Sequence, residues 1–204
     1  MMSLYSFLSA IELGLIYSLM VLGLFLSYRV LNIPDLTVDG SFTLGAAVAV
    51  VMTLSGHPIL GLFAAILAGA AAGFLTAFLQ TKMKIQPILA GIITMTALYS
   101  INLMVMDDKA NVPITQQESI YTAFGSLVGK QAQGMVLSML ILILAGAAMV
   151  LFLKTPFGLS VRATGDNESM VRSSSINADL TKTAGLMGAN ASFGSDDRAL
   201  QLLC

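Results

Sequence analysis

The chain has 204 residues, of which 56% are hydrophobic and 10% charged, with a mean hydropathy of +0.85 and a formal net charge of −1. A soluble domain usually carries about 25% charged residues, so this composition excludes a water-soluble globule and makes lipid the natural solvent. There is no basic run to bind nucleic acid, and the single cysteine, Cys204, excludes an internal disulfide or a cysteine metal cluster.

The opening stretch, MMSLYSFLSAIELGL, has no positive n-region and no cleavage site, and its apolar run is too long for a signal peptide. It reads as a retained span. Crossing the hydrocarbon core takes about 20 apolar helical residues. Five segments qualify or nearly so: Leu4–Tyr28, Gly40–Gly56, Pro58–Gln80, Pro87–Met106 and Gly134–Leu153. The expected fold is therefore all-α, a polytopic membrane helix bundle of about five transmembrane helices, with residues 1–190 as the membrane domain.

Glu12 is the only acid inside an expected span. An ionised side chain near the bilayer centre costs about 2.5–3.5 kcal/mol on insertion scales. It reads either as a proton or substrate-amine site, or as a bundle-facing or snorkelling carboxylate with a structural partner. The next segment, Arg29-Val30-Leu31-Asn32-Ile33-Pro34-Asp35-Leu36-Thr37-Val38-Asp39-Gly40, breaks the helix at Pro34 yet stays apolar enough to remain near the membrane. Arg29, Asp35 and Asp39 can balance one another. Asp39 is a candidate cap for the next helix, with Gly40 permitting a sharp start. Two readings stand side by side: a broken-helix elbow beside a pathway, involving Asn32, Pro34, Asp35, Asp39 and Gly40, or an ordinary turn with a capped helix.

His57 falls in a turn beside Pro58 and reads as a surface residue. In the third span Gly61, Ala65, Gly69, Gly73 and Ala77 recur every four residues. Such a stripe lets helix backbones approach closely, first within the bundle and second between subunits. Asn102 reads as an interhelical hydrogen bond. Gly125-Ser126-Leu127-Val128-Gly129-Lys130 resembles a phosphate loop but fails: the glycines are one residue too close, and Gln131 replaces the Ser or Thr that would hold magnesium. Neither HExxH nor GxSxG occurs. The chain is not expected to be an enzyme or to hold a cofactor, so active transport would draw on a partner or an ion gradient.

Residues Thr155 to Asn190 read TPFGLSVRATGDNESMVRSSSINADLTKTAGLMGAN. A segment this polar is expected to lie in water rather than lipid. Thr155-Pro156-Phe157-Gly158 stops the fifth span. Gly165-Asp166 offers a turn and a cap, and Asn167 to Arg172 reads as a short helix. Glu168 and Arg172 form an i,i+4 pair there, with Met170 and Val171 projecting apolar bulk for a partner's groove. With the N-terminus outside, Arg29, Lys82, Lys84, Lys154, Arg162, Arg172 and Lys182 are cytoplasmic, and only Lys109 and Lys130 are external, beside Asp107, Asp108 and Glu118. That bias fits the positive-inside rule.

Two stretches, YRVLNIPDLTVDGSFTLGAAVA (Tyr28–Ala49) and TPFGLSVRATGDNESMVRSSSIN (Thr155–Asn177), resemble the permease subunits of bacterial ABC importers of the branched-chain amino acid type. The nearest subgroup is similar to permeases paired with a tryptophan/tyrosine-type binding lipoprotein. The resemblance runs from about Leu13 to Asn190. It implies a dimer with a second permease copy in the bacterial plasma membrane, a cytoplasmic ATP-binding subunit that uses the ATP, and an extracytoplasmic substrate-binding protein. It also implies that Gly165–Ile176 forms the coupling helix that sits in the ATPase, with that role carried to Arg162, Gly165, Asp166, Asn167, Glu168, Met170 and Arg172. The elbow would border the translocation path. Ser173-Ser174-Ser175 departs from the small-apolar-glycine run of the family, which loosens the end of the docking helix.

The stretch from Ala191 to Cys204, with Asp196, Asp197 and Arg198 in succession, departs from the spans that follow in the family. The expectation is a truncated or frame-shifted product whose last 14 residues are not family sequence. Two other functions remain open: an ion-coupled secondary transporter using Glu12, and a non-transporting membrane scaffold. The frame-shift expectation predicts a hydrophobic, permease-like continuation in another reading frame of the downstream DNA. Its absence from both frames rejects the idea.

Overall fold

The computed structural model describes residues 4–107, 133–174 and 176–191. All regular structure among the described residues is helical. Helix α1 (Leu4–Leu24) runs on into a π-helical turn, Phe25–Val30. Then follow α2 (Thr37–Leu54), α3 (Pro58–Thr81), α4 (Pro87–Val105), α5 (Gln133–Lys154), α6 (Pro156–Asp166), α7 (Glu168–Ser173) and α8 (Ala178–Ala191). Four stretches are long and apolar enough to cross a membrane, Leu13–Val30, Thr37–Leu54, Leu60–Thr81 and Pro87–Val105. Helices α5 and α6, bent by 81° at their junction, pass the same test only as a pair, as a broken span or a re-entrant loop. The second span begins at Thr37 rather than Gly40, which gives it 18 residues. The phosphate-loop lookalike at Gly125–Lys130, the two lysines expected on the outer side, Lys109 and Lys130, and residues 192–204 lie outside the described residues.

Local chemistry sets the boundaries. Pro58, Pro87 and Pro156 each open a helix, where the missing N–H removes a donor that would have no intrahelical partner. Gly56 takes φ +82 in the turn between α2 and α3, a conformation that glycine adopts without steric cost. At the α5–α6 bend, Thr155 Oγ1 accepts from Gly158 N at 3.1 Å and caps α6. His57 is exposed in its turn, with Nδ1 3.0 Å from the Ser55 carbonyl.

The small-residue stripe of α3 is occupied within the bundle. A Cβ on Gly61 would press on Ala49 and Met52 of α2. One on Gly69 or Gly73 would collide with the backbone carbonyls of Asn190 or Leu186 in α8. Ala65 and Ala77 of the same stripe are fully buried. The close backbone approach that such stripes permit is therefore made inside one chain.

These contacts correct the reading of 155–190 as a wholly aqueous segment. From Ala178 the chain turns back and runs antiparallel to α3, with Leu186 opposite Gly73 and Asn190 opposite Gly69. At 1.5 Å per residue, Asn190 reaches roughly 18 Å along α3 from its Thr81 end. Helix α8 can do this because its apolar and small residues, Ala178, Thr181, Gly185, Leu186 and Ala189, share one buried face. The side chains of Phe63, Leu67, Tyr99, Met104, Ile143 and Leu151 point outward from the bundle and give it an apolar exterior.

Since the Gly73 contact is backbone against backbone, neither side can yield cheaply. Gly73→Leu is expected to lower stability by about 1–3 kcal/mol, the usual range for overpacking. Gly14→Leu, where a Cβ would meet nothing within 4 Å, is expected to be near neutral. Thermal unfolding of the two variants in detergent checks the difference, and equal midpoints would reject the α3–α8 contact.

Candidate functional site

The segment between the π-helical turn and α2 forms a recessed elbow. Leu31, Ile33 and Asp35 are buried, while Asn32 is exposed and takes φ 55, a left-handed conformation that asparagine tolerates better than most residues. Non-helical backbone at this depth requires partners from the protein, and it has them. Ser27 Oγ donates to the Ile33 carbonyl at 2.9 Å. Leu31 and Ile33, with Ala77 of α3, Val161 of α6 and Leu186 of α8, form one apolar core. Leu36 packs on Gly91 of α4.

Asp35 is the polar centre of the elbow, with only 3% of its surface exposed. One carboxyl oxygen accepts from Thr37 N at 2.9 Å and from the Thr37 hydroxyl. The other accepts from Asn190 Nδ2 at 3.0 Å. Asn190 Nδ2 also donates to the Leu186 carbonyl, and its Oδ1 accepts from Ser41 Oγ at 2.6 Å. Residues 155 positions apart in the chain are thus joined by a buried side-chain hydrogen bond.

The elbow expectations divide here. Asp35, not Asp39, satisfies the first N–H of α2, because its side chain folds inward onto Thr37. Asp39 is exposed in the first turn, favourably placed for the helix dipole but capping nothing. Gly40 is buried and sits against Leu98 and Met95 of α4, so its role is close helix packing rather than a sharp helix start. Pro34 and Asp35 line a cleft of about 530 Å³ beside Val21, Phe25 and Tyr28. Glu12 falls in α1, and its side chain lies outside the described residues. Among the described residues Asn102 makes no interhelical bond, and its Oδ1 is buried without a partner.

Helices α6 and α7 form a platform against the elbow. Gly165 lies directly on the Val30 carbonyl and Leu31, too close for any side chain. Val161 is fully buried in the shared core, and Thr164 Oγ1 meets Thr181 Oγ1 of α8 at 2.8 Å. The short helix α7 is capped by Asn167, whose Oδ1 accepts from Met170 N at 3.1 Å and from Ser169 Oγ at 2.7 Å. Asp166 is instead the exposed last residue of α6. Arg162 is also exposed and makes no side-chain hydrogen bond among the described residues. Met170 projects outward with 66% exposure, whereas Val171 is buried, so the two do not form one apolar knob. Ser173 and Ser174 direct their hydroxyls back to the Met170 carbonyl at 2.7 and 3.0 Å and end the helix.

Four charges fix the platform to α8. Glu168 pairs with Arg172 at 2.9 Å, as the i,i+4 spacing predicts, and with Lys182 at 2.6 Å. Arg172 reaches Asp179 at 2.5 Å. The Lys182 hydrogen bond, helped by that from Arg172, holds the Glu168 carboxyl below its ordinary value of 4.5, against the opposing effect of partial burial. Hydrogen bonds to Glu168 and then Asp179 raise the Arg172 guanidinium.

A family model described as branched-chain amino acid transport system / permease component matches residues 6–194. The chain belongs to this family. It is 36% identical to a tyrosine transport system permease protein of Clostridioides difficile over 184 residues, which cover 90% of this chain and 60% of that protein. It is 31% identical to an uncharacterized protein of Rickettsia prowazekii over 183 residues, covering 90% of this chain and 63% of that one. The chain thus spans about three-fifths of the length of these relatives. No solved structure matches it. Family and apolar helices together make this permease-family chain a multi-pass integral membrane protein of the bacterial inner membrane.

Some of the site gave a sequence signal that was missed. Thr155-Pro156 is a cap followed by proline at the first helical position, and it marks α6. Asn177, whose Oδ1 accepts from Asp179 N and Leu180 N, marks the start of α8. Nothing local in the sequence points to Asn190.

Because the folded Glu168 value is lowered, its ion pairs stabilise the platform at pH above the ordinary glutamate range. That contribution is lost as pH falls through the lowered value. Carbon-13 NMR of the Glu168 carboxyl is expected to give a midpoint below 4.5, and Lys182→Met should move it upward. An unchanged midpoint in that variant would contradict the Lys182 pairing.

Proposed function

We propose that this chain is the membrane permease subunit of an ATP-driven importer for a small solute, and that it docks a cytoplasmic ATP-binding subunit through α6 and α7. The family supports the permease role. The tyrosine transport relative favours an amino acid as substrate. The reading places the N-terminus outside, a substrate-binding protein on the extracytoplasmic side, and a second permease copy across the pathway. The π-helical turn, the connection after α3, the end of α5, helices α6 and α7 and the start of α8, which carry Arg29, Lys82, Lys84, Lys154, Arg162, Arg172 and Lys182, would then face the cytosol.

The observation that carries the coupling is the seating of the platform on the elbow. Met170 and Arg162 face outward and offer a partner one apolar contact and one cation that makes no ion pair among the described residues. Behind them, Gly165 touches the elbow backbone directly, and Val161 shares a core with Leu31 and Ile33. The ion pairs of Glu168 and Arg172 bind α7 to α8. Close-packed contacts transmit displacement because packed interiors have low compressibility. A partner that grips α7 differently with and without ATP would therefore shift the elbow and the adjoining 530 Å³ cleft. That difference in affinity between states is what drives alternating access.

Full burial of an apolar side chain of this size contributes about 1.5–3 kcal/mol. Met170→Asp is therefore expected to weaken association with the ATP-binding subunit of the same operon by at least about tenfold. Membrane insertion should be unaffected, since Met170 makes no core contact. Co-purification from solubilised membranes measures it. Wild-type association by the variant would remove the docking role, and uptake that persists without the ATP-binding subunit would favour the ion-coupled alternative.

A further inference from the structure

A second cavity, of about 560 Å³, opens where α3 ends, α4 begins and the platform meets α8. It is separate from the cleft beside the elbow, and it lies at the ends of two apolar spans, Leu60–Thr81 and Pro87–Val105. Three cations, Lys84, Arg172 and Lys182, line it against two carboxylates, Glu168 and Asp179. The carboxylates are already engaged: both oxygens of Glu168 and one of Asp179 accept from Arg172 or Lys182.

The unspent capacity in the wall lies with donors. Gln80 lines the cavity, and its Nε2 is buried with no hydrogen-bond partner among the described residues. A buried polar group without a partner is costly, and such groups are few in native proteins. Lys84 makes no ion pair among the described residues, and it takes φ 54, which is uncommon for a residue other than glycine. Lys182 uses one ammonium donor on Glu168, and an ammonium has three. The wall therefore offers an excess of positive charge, one buried amide N–H without a partner among the described residues, and two ammonium groups with donors to spare, from two different parts of the chain.

We propose that this cavity holds an oxyanion, phosphate or carboxylate, bound by Gln80, Lys84 and Lys182. An occupant would join the 82–86 connection to α8 and, through the Lys182–Glu168 pair, restrain the helix that carries Met170. The same chemistry has two sources. Anionic phospholipid headgroups of the adjacent leaflet present a phosphate at the ends of membrane spans, where basic pockets between helices favour them. Soluble cytosolic phosphates and carboxylates present it from water. The inference rests on the cavity alone and needs no ATP-binding subunit, so its failure would leave the docking reading intact.

The test is lysine acylation of the full chain in lipid nanodiscs, read residue by residue by mass spectrometry. Lys154, exposed and away from the cavity, serves as the internal reference. Acylation of Lys84 and Lys182 relative to Lys154 is expected to slow by about fivefold when the site fills, the factor that matches one lysine–anion contact at a membrane surface. Slowing with phosphatidylglycerol but not in phosphatidylcholine discs assigns the lipid headgroup. Slowing in phosphatidylcholine discs on adding inorganic phosphate or succinate assigns a soluble ligand. Gln80→Leu should abolish the effect at both lysines, and Lys84→Ala should abolish it at Lys182. If neither anion protects the wild-type lysines, or if protection survives in Gln80→Leu, the site does not exist.

Discussion

The arrangement depends on one buried hydrogen-bonded group: Asp35, with Asn190 and Thr37 as donors and Ser41 closing the circuit through Asn190. Asp35 makes no ion pair among the described residues, so these neutral donors alone satisfy it. Leaving such a group short of one partner costs about 1–3 kcal/mol, so each member constrains the others. The bond ties the elbow to α8, while Ser41 ties α8 to α2. Without α8 in place, the elbow would expose a buried carboxyl and open backbone to an apolar solvent, which cannot satisfy them.

That constraint explains why so many contacts on the elbow are glycines. Gly165 lies on the Val30 carbonyl with no room for a side chain, Gly91 sits tightly against Leu36, and Gly185 receives the end of the Leu31 side chain. An elbow held closely from three sides cannot move independently of its neighbours. The platform is one of those neighbours, and it is also the part most exposed to water. Ion pairs on its surface are individually weak, about 0–1 kcal/mol each. Their contribution is geometric: Glu168, Arg172, Asp179 and Lys182 link two helices and fix the direction in which Met170 points. Stability comes from Val161 and Val171 inside, and orientation from the charges outside.

The sequence carried much of the fold in plain form. Four apolar runs and one polar-capped run give the spans, since length and hydropathy are sufficient in lipid. The stripe on α3 and the Glu168–Arg172 pair follow from helical spacing alone. What could not be read was tertiary. Helix α8 looks hydrophilic because Asp179, Lys182 and Asn190 dominate its composition, yet its buried face is built of alanine, glycine and leucine. Asp39 looked like the cap because it precedes a glycine, whereas the choice of Asp35 depends on Asn190, 155 residues away. Val171 and Met170 are chemically alike and adjacent, and only the packed core decides which is buried.

The misreading of α8 follows from how lipid treats polarity. Average hydropathy tests whether a helix can face hydrocarbon on all sides. A helix enclosed by protein needs only one face small enough to approach its neighbour and polar groups that find partners there. Helix α8 meets both conditions: Gly185 and Ala189 allow the approach, and Asn190 finds Asp35, Ser41 and the Leu186 carbonyl. Polar residues in such a helix are therefore signs of a protein environment rather than of water. The same logic separates the two ends of the 155–191 segment. Around Met170 the polar groups bond to one another and leave an apolar side chain outside, which suits a surface. Around Asn190 they bond to distant parts of the chain, which suits an interior.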